Sequence, residues 1–497
     1  MRRTPPAYSR SYPIAALICV VLSLLSGCAF GSGAPATDAP QTPQQASAGS
    51  VVNLTFGASD FDRRTYQPII EAFNQGNPNI HVQFVAIDDL YKGDDRNEQL
   101  RGIVTRVDTA SAYVDPSQLK LGLVRDLKPL MDADASFAPD DFYPVAIQSL
   151  SADGGIYLAP KTIYPFLLSY NKDMWAARGL SAPRPDWSWQ DLEAAAQRLA
   201  QKQGNTVTIY GLVDNTAYAH AFLGGLDLLS TPPDRLRFDR SDIAAALERV
   251  ADLVNSGAFY HWPLIQRANW DAVEQLVRDQ KAGMWRADIT SPKAGGPAPT
   301  FAIGTAAYPA STIPGDSPFS VDGYLMSSGT QHPDEAWAWL SFLSKQAGSE
   351  SGRPGGLPAR KSIAEQIGYW SQLDPEAAAA LRATLARALP SPLPGDVDER
   401  IFQPLAQALD DVIAGKPTAQ ALSEAQAALG NTIASLQLTP TPTPNTQPVV
   451  VATPVPDVAA PGAVTITFAA AGKGNDQIRK IVEQFNQANP AIFVQMQ

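Results

Sequence analysis

Residues Val51–Phe84 read VVNLTFGASDFDRRTYQPIIEAFNQGNPNIHVQF and contain the clearest indication of the fold. The segment Val51–Phe56 alternates and is rich in strand-forming residues, and Ile80–Phe84 repeats that pattern. Between them, apolar residues at positions 69, 70 and 73 indicate an amphipathic helix, which ends at Asn77-Pro78. A strand, a helix and a second strand in this order predict a parallel sheet flanked by helices, and therefore an α/β fold.

The rest of the chain, as far as Leu436, contains the same two kinds of pattern. Short strands are predicted at Gly102–Val107 and Ile209–Val213, and a longer extended stretch at Ile156–Tyr170. Apolar residues at helical spacing predict helices at Trp189–Gln203, Ser241–Ser256, Trp270–Lys281, Pro333–Lys345, Asp374–Ala388, Asp398–Ile413 and Thr418–Leu436.

Composition and charge exclude several classes of protein. The 497 residues are 45% hydrophobic and 18% charged, which is typical of a globular chain with room for more than one core. The net charge of -11, without a basic stripe, argues against nucleic-acid binding because the surface repels phosphate. Both cysteines, Cys19 and Cys28, precede the globular part, and the four histidines are scattered. The sequence therefore predicts no disulfide framework, no metal site, no catalytic thiol and no cofactor.

The first 28 residues have the pattern of a secretory signal. Arginines at positions 2, 3 and 10 precede a short apolar run, Ile14–Leu25, which is too short for a comfortable membrane span. The run ends in Leu25-Ser26-Gly27-Cys28, which resembles the lipobox of bacterial lipoproteins. That resemblance implies that residues 1–27 are removed and that Cys28 carries lipid at the extracytoplasmic face of the membrane. An ordinary signal peptide with a cysteine near its cleavage site is the alternative. Residues 28–50 then predict a flexible tether.

The C-terminal part of the sequence repeats its beginning. Residues 437–462 form a Thr/Pro-rich segment whose prolines favour an extended linker. After it, Val464–Gln497 aligns without a gap on Val52–Val85 at an offset of 412, with fourteen of thirty-four pairs identical. Residues 463–497 are therefore expected to be the truncated start of a second domain, which cannot bury its own apolar faces alone. A fragment of a tandem-domain protein is the favoured explanation, and a broken gene is the alternative.

Several further motifs occur in an order that resembles the family 1 extracellular solute-binding proteins of bacterial ABC importers, which include maltose-binding protein. The resemblance spans about residues 51–436 and includes Tyr170-Asn171-Lys172-Asp173 after the extended stretch. The other landmarks are WSWQDL (Trp187–Leu192), QKAGMW (Gln280–Trp285), FAIGTAAYP (Phe301–Pro309), HPDEA within Asp322–Leu343, and GLPARK (Gly356–Lys361).

The resemblance implies a periplasmic-binding-protein fold of type II, in which hinge strands join two α/β lobes around a solute. It places lobe 1 at about 51–163 and 308–350, and lobe 2 at about 164–307 and 351–436. It also implies that a small solute, favoured to be a carbohydrate, is delivered to the permease subunits of an ABC importer. Closure around the solute would result from tighter binding to the closed form.

Candidate ligand contacts are expected beyond the carboxyl ends of the strands. Carboxylates and amides hydrogen-bond sugar hydroxyls, and aromatic faces cover sugar C–H surfaces. Asp60 and Asp288 have the alternative role of capping helices. The resemblance itself points to Tyr164, which follows the crossover segment. Tyr113 is expected beyond the third strand. The full set of candidates is Asp60, Phe61, Asp108, Thr109, Tyr164, Asn215, Tyr218, Arg286, Asp288, Asp322 and Tyr324.

Two other functions compete with uptake. A secreted hydrolase would use two carboxylates, but no activated serine, thiol or metal constellation accompanies the acidic residues. A sensing module would couple ligand closure to a membrane receptor, and the repeated domain start keeps that alternative open. A second receptor domain after residue 497 would favour uptake, whereas a membrane span and a signalling domain there would favour sensing.

Overall fold

The structure is a computed structural model that describes most of the chain from residue 51 onward. The described ranges are 51–93, 95–114, 116–119, 121–214, 220–221, 223, 226–263, 270–288, 300–311, 318–348, 356–387, 399–438, 449–452, 462–468, 475–489 and 491–496. The expected signal and tether, residues 1–50, lie outside them. Within these ranges, no helix combines the length and apolar character that a membrane span requires.

The strands are numbered β1 to β14 in chain order. The first seven are β1 Val52–Ala58, β2 Ile80–Ala86, β3 Thr109–Ala112, β4 Ser151–Ala152, β5 Gly155–Ile156, β6 Leu158–Asn171 and β7 Gln201–Gln203. The others are β8 Thr206–Val213, β9 Ala282–Asp288, β10 Ile303–Ala306, β11 Phe319–Met326, β12 Leu357–Pro358, β13 Val464–Phe468 and β14 Ile492–Met496.

The helices are designated by their ranges. The α-helices are Arg63–Gly76, Arg96–Arg106, Pro116–Leu119, Lys128–Ala133, Pro144–Ser149, Lys172–Ala177, Trp189–Leu199, Ser241–Asn255, Trp270–Arg278, Pro333–Leu343, Lys361–Gln366, Pro375–Leu385, Gln403–Ile413, Thr418–Leu438 and Asn475–Ala488. Short 3-10 turns lie at Asp60–Asp62, Asp88–Tyr91, Pro139–Asp141, Leu228–Ser230, Pro233–Arg235, Tyr369–Gln372 and Glu399–Phe402.

One mixed sheet runs through the molecule in the order β2-β1-β3-β11-β6-β9-β8-β7, with β10 and β12 also paired to β6. The parallel sheet predicted from the first strand–helix–strand segment is present, because β1 pairs in parallel with both β2 and β3. The remainder of the sheet is mixed: β8 is parallel to β9, whereas β11 is antiparallel to β3, and β6 is antiparallel to β9, β10 and β11. Because helices pack on this mixed sheet, the fold is of the α/β class, as predicted.

Strand β6 joins two separate hydrophobic cores. Its first half, up to Leu167, belongs to a core built around β1, β2, β3 and β11, which we call lobe 1. Its second half, from Leu168, belongs to a core built around β8 and β9, which we call lobe 2. The change of lobe occurs between two consecutive buried residues of a single strand, so β6 is a crossover between the lobes.

The division between the lobes differs from the expected one in the C-terminal part. The expected division places all of residues 351–436 in lobe 2, yet Leu357, Tyr369 and Leu381 are buried in the core of lobe 1. Only the part from Ile401 to Leu429 joins lobe 2. The reason is that β12 pairs with the lobe 1 half of β6, which fixes the helices after it on that side.

Arg360 attaches this returning segment to lobe 1. Its guanidinium is buried and donates to the carbonyl oxygens of Ser344 at 2.9 Å and Phe137 at 2.8 Å. It also donates to the Asp141 carboxylate at 3.2 Å, and its Cζ lies 4.1 Å from the centre of the Phe142 ring. Because the planar donors satisfy several acceptors at once, one side chain fixes three parts of the chain.

The Asp141 carboxylate makes the stability of lobe 1 sensitive to acid. Burial by itself would raise the pKa of Asp141, but hydrogen bonds from Ser362 and the nearby Arg360 guanidinium outweigh burial and lower that pKa. A lowered pKa stabilises the folded state above the unfolded value of about 3.9, and this contribution disappears as the pH falls through the folded value. We expect Asp141→Asn to be less stable than wild type at pH 7 and to approach it below about pH 4. Urea unfolding at several pH values measures the difference, with Asp132→Asn, at an exposed ion pair with Lys128, as the matched control variant. A constant gap between Asp141→Asn and wild type would contradict this assignment.

The predicted strand Gly102–Val107 is wrong. The Asp95 side chain caps a helix by accepting from the backbone N–H groups of Asn97 and Glu98, and that helix runs to Arg106. Leu100, Ile103 and Val104 are its buried residues, and their spacing is helical. The third strand is therefore Thr109–Ala112, one element later than expected.

The C-terminal unit, β13, helix Asn475–Ala488 and β14, has the same local structure as the opening of lobe 1. Its strands pair in parallel with Val464 opposite Ile492, the register of Val52 opposite Ile80. The Asn486 side chain bonds the backbone N–H and carbonyl of Val494 at 2.8 and 3.0 Å. Asn74 makes both bonds to Val82 at the same distances. The amide fixes the helix on the second strand in both units.

Candidate ligand-binding cleft

The carboxyl ends of β1, β2 and β3 form one edge of lobe 1. These strands are parallel neighbours in the order β2-β1-β3, so their carboxyl ends, Ala58, Ala86 and Ala112, lie at the same edge of the sheet. Open α/β sheets bind their ligands beyond this edge. Strand β11 is antiparallel to both β3 and β6, so β6 runs in the same direction as β3 and continues into lobe 2 beyond this edge. The edge therefore faces the region between the lobes.

Three exposed aromatic rings come after these three strands, one after each. Phe61 follows β1 and is 83% exposed, Tyr91 follows β2 and is 45% exposed, and Tyr113 follows β3 and is 53% exposed. Large aromatic side chains are costly to leave in water, and three at one sheet edge are a typical feature of a binding surface. Phe61 and Tyr113 were expected from the sequence. Tyr91 was missed, although its position shortly after a predicted strand is the signal that identifies it.

Asp88 organises the loops that carry two of these rings. Its carboxylate accepts from the Ser59 hydroxyl at 2.6 Å and from the Asp60 backbone N–H at 2.7 Å. The Asp60 carboxylate is itself 2.8 Å from the Arg63 guanidinium.

Burial raises the pKa of Tyr91 to about 12, and the nearby negative charges of Asp88 and Asp322 add to this effect. The Tyr91 hydroxyl, protonated at neutral pH as tyrosines ordinarily are, can donate a hydrogen bond.

Lys161 contributes a buried positive charge beside Asp322 and Tyr164. Its ammonium donates to the Ser111 hydroxyl at 3.2 Å and lies 5.7 Å from the ring centres of Tyr66 and Tyr324. Burial would lower the pKa of Lys161, but the interactions with Tyr66, Tyr164 and Asp322 outweigh it and raise that pKa. Lys161 was not among the sequence candidates, because a lysine within a long apolar strand carries no distinctive sequence pattern.

Tyr164 and Asp322 lie on the two central strands next to this edge. Tyr164 is opposite Ser320 and Asp322 is opposite Thr162 in the ladder between β6 and β11. Residue 323 pairs with Ala112, the last residue of β3, so Asp322 is placed just beyond the carboxyl end of that strand. Asp60, Phe61 and Asp322 thus lie near this edge of lobe 1, and Tyr164, which is buried, lies on the neighbouring strand β6.

Lobe 2 contributes Arg286 and the end of β9. The Arg286 guanidinium lies over the Phe166 ring at 3.7 Å from its centre. The backbone of Asp288, the last residue of β9, is opposite Phe166 in the crossover strand. Both candidates therefore lie where β6 passes from one lobe to the other. Asn215 and Tyr218, expected after β8, lie outside the described residues.

Four candidates are buried: Tyr164 lies beside Lys161, and the other three, Asp108, Thr109 and Tyr324, lie in the interior of lobe 1. The Asp108 carboxylate accepts from the backbone N–H and hydroxyl of Thr55 at 2.9 and 2.8 Å and from the Thr330 hydroxyl at 2.6 Å. Thr109 and Tyr324 have no exposed surface. The physical reason is the displaced third strand, because Asp108 and Thr109 lie at its amino end, away from the ligand edge. We therefore assign these three residues to the core of lobe 1.

The described residues of the candidate cleft combine aromatic faces with polar and charged groups. No group of His, Cys, Asp and Glu residues in the described ranges has the geometry of a metal site. The cleft groups are aromatic faces, a protonated phenol, carboxylates and two cations. Together they can cover apolar surface and form directed hydrogen bonds with a polar molecule.

Comparison with protein-family models gives a match over residues 59–350 to the family described as bacterial extracellular solute-binding protein. The chain belongs to this family. The match begins directly after β1 and includes β2 to β11, and thus both halves of the crossover strand. Comparison with curated proteins gives no match.

Solved structures with the same fold include several sugar-binding proteins. The sugar-binding protein MalE of Xanthomonas citri is 19% identical with a TM-score of 0.57, covering 78% of this chain and 98% of that protein. The maltose-bound MalE3 of T. maritima is 18% identical with a TM-score of 0.53, covering 77% and 100%. The substrate-binding protein Lmo0181 of Listeria monocytogenes, in complex with cycloalternan, is 18% identical with a TM-score of 0.53, covering 78% and 100%. At these identities the likeness shows the two-lobed fold.

Proposed function

We propose that this solute-binding protein captures a carbohydrate between its two lobes and delivers it to an ABC importer. The observation that carries the proposal is the row of exposed aromatic rings, Phe61, Tyr91 and Tyr113, at one sheet edge. Sugar rings present apolar C–H faces bordered by hydroxyl groups, and aromatic faces next to directed polar groups complement both. The structural relatives that bind maltose and cycloalternan support the same class of ligand.

Capture depends on the crossover between the lobes. A ligand that contacts both the aromatic edge of lobe 1 and Arg286 of lobe 2 bridges the two lobes beside the crossover strand β6. Contacts made to both lobes in the closed form stabilise that form by the difference in affinity, so ligand shifts the population toward closure. The closed form is then the state that the permease subunits recognise.

The proposal includes the position of the protein in the cell and a second domain. Cys28 carries the lipid anchor, and residues 29–50 hold lobe 1 away from the membrane surface. Residues 463–497 begin a second solute-binding domain, supported by the shared strand register and the paired Asn74 and Asn486 contacts. Mass spectrometry of the mature N-terminal peptide tests the first point. The gene sequence beyond codon 497 tests the second.

The ligand class can be tested by thermal unfolding with a panel of sugars and polyols. A ligand that binds only the folded state raises the melting temperature, and at about 100 times its Kd it adds about 2.7 kcal/mol. We expect maltodextrins or other neutral saccharides to raise the melting temperature by a few degrees, while amino acids and inorganic phosphate leave it unchanged. Small-angle scattering of the same samples should show a smaller radius of gyration with the active sugar. A panel in which no carbohydrate changes either quantity would reject the proposal.

A further inference from the structure

A run of apolar residues interrupts the Thr/Pro-rich linker and lies on lobe 1. The linker reads TPTPTPNTQPVVVATPVPDVAAPG, and its only three consecutive β-branched apolar residues are Val449–Val451. The structure describes residues 449–452 of this linker. Val449 and Val451 are half-buried, whereas Val450, at 67%, and Ala452 are exposed. This alternation is the pattern of an extended segment with one face against a surface.

The contact surface is formed by two turns of lobe 1. The Ala452 backbone N–H donates to the Thr105 carbonyl oxygen at 2.8 Å, and this carbonyl is in the last turn of helix Arg96–Arg106. Val449 packs against the hydrophobic core of lobe 1. A β-carbon on Gly329 would lie 2.4 Å from the Val449 carbonyl oxygen and 2.7 Å from its side chain. Glycine at position 329 is therefore the residue that allows the two backbones to approach so closely.

We propose that Val449–Ala452 is a docking segment that fixes the inter-domain linker to lobe 1 at the edge opposite the cleft. Thr105 precedes the amino end of β3, and Gly329 follows the end of β11 that pairs with that amino end. Ligand groups lie at the other end of these strands, beyond Ala112. The docked linker therefore leaves the cleft open while holding the start of the C-terminal unit close to the base of lobe 1.

The docking segment divides the linker and limits the reach of the C-terminal unit. Eleven residues separate Ala452 from Val464, and a chain of that length spans at most about 40 Å when fully extended. Without docking, the connection would begin near Leu438 and be more than twice as long. Docking thus raises the effective concentration of the C-terminal unit beside lobe 1.

Hydrogen–deuterium exchange of the full chain tests the docking segment. We expect the peptide that contains residues 449–452 to exchange at least about tenfold more slowly in wild type than in Gly329→Val. The double variant Val449→Ser/Val451→Ser should lose the same protection, whereas Val450→Ser, at an exposed valine in the same run, should retain it. Affinity for any sugar that binds the cleft should be equal in all four proteins, so the result is independent of the ligand.

The linker variant leaves residues 51–438 unchanged, so it decides the question even if Gly329→Val disturbs lobe 1. Exchange of the 449–452 peptide at the rate of an unstructured chain in wild type would overturn the proposal. Equal protection in wild type and Val449→Ser/Val451→Ser would overturn it as well.

Discussion

Asp108→Ala is expected to lower the free energy of unfolding by about 3–5 kcal/mol, because it removes the acceptor of three buried hydrogen bonds. The carboxylate accepts from the Thr55 backbone, the Thr55 hydroxyl and the Thr330 hydroxyl, and it joins β1 to the turns that flank β3 and β11. Without it, one backbone N–H and two hydroxyls lose their acceptor in a region that water does not reach. Urea unfolding monitored by tryptophan fluorescence measures the loss.

A graded series separates this structural role from a ligand contact. Asp108→Asn keeps one carbonyl acceptor and should lose about half as much stability, and Thr330→Val should lose about 1 kcal/mol. Asp132→Ala, at an exposed ion pair with Lys128, should change stability by less than about 0.5 kcal/mol. If Asp108→Ala were as stable as Asp132→Ala and instead lost ligand affinity, the assignment of Asp108 to the core would be wrong.

Removal of the three cleft rings, Phe61→Ala, Tyr91→Ala and Tyr113→Ala together, is expected to weaken sugar binding by more than about 100-fold. Each ring that covers a sugar face contributes on the order of 1–2 kcal/mol, as aromatic anchors do at other interfaces. Because Phe61 is largely exposed and Tyr91 and Tyr113 are about half exposed in the free protein, the unfolding free energy should fall by no more than about 2 kcal/mol. Isothermal titration calorimetry with the sugar identified by thermal unfolding measures the affinity.

Two controls define the contribution of the rings. Tyr91→Phe and Tyr113→Phe keep the ring faces and remove only the hydroxyls, so each should retain most of the affinity. Phe468→Ala removes an exposed ring from the C-terminal unit and should not affect binding. Unchanged affinity in the triple alanine variant would show that the ligand binds elsewhere on the protein.

The sequence predicts the opening of the fold because local patterns and tertiary structure agree there. Strand β2 buries Val82 and Phe84 in alternation, and the helix Arg63–Gly76 buries Tyr66, Ile70 and Phe73 at helical spacing. Strand β1 is buried continuously from Leu54 to Ala58, because it lies between two neighbouring strands. The prediction for Gly102–Val107 failed because a six-residue window holds too few apolar positions to distinguish the two periods. The cap at Asp95, seven residues earlier, is the local signal that favours the helix.

The wrong position of the third strand explains why some candidate ligand-binding residues were misplaced. With the third strand assigned too early, Asp108 was expected at its carboxyl end, where ligands bind, although it lies at the amino end of the true strand. Phe61 follows the first strand, as expected, whereas Asp322 lies within β11. Lys161 and the lobe 1 position of residues 357–381 depend on strand pairing between distant segments, which no local pattern contains.

The interleaving of the two cores restricts the order in which the molecule can fold as it is made. The sheet of lobe 1 lacks β11, the strand between β3 and β6, until residue 326 has been synthesised. The core of lobe 2 is completed even later in synthesis, because it includes Leu405 and Leu422. Neither lobe can close while the first 300 or so residues emerge, so their apolar strands remain exposed throughout most of synthesis. A chain built in this way depends on late, non-local contacts, and we expect slow folding and a need for protection from aggregation before the last strands and helices are in place.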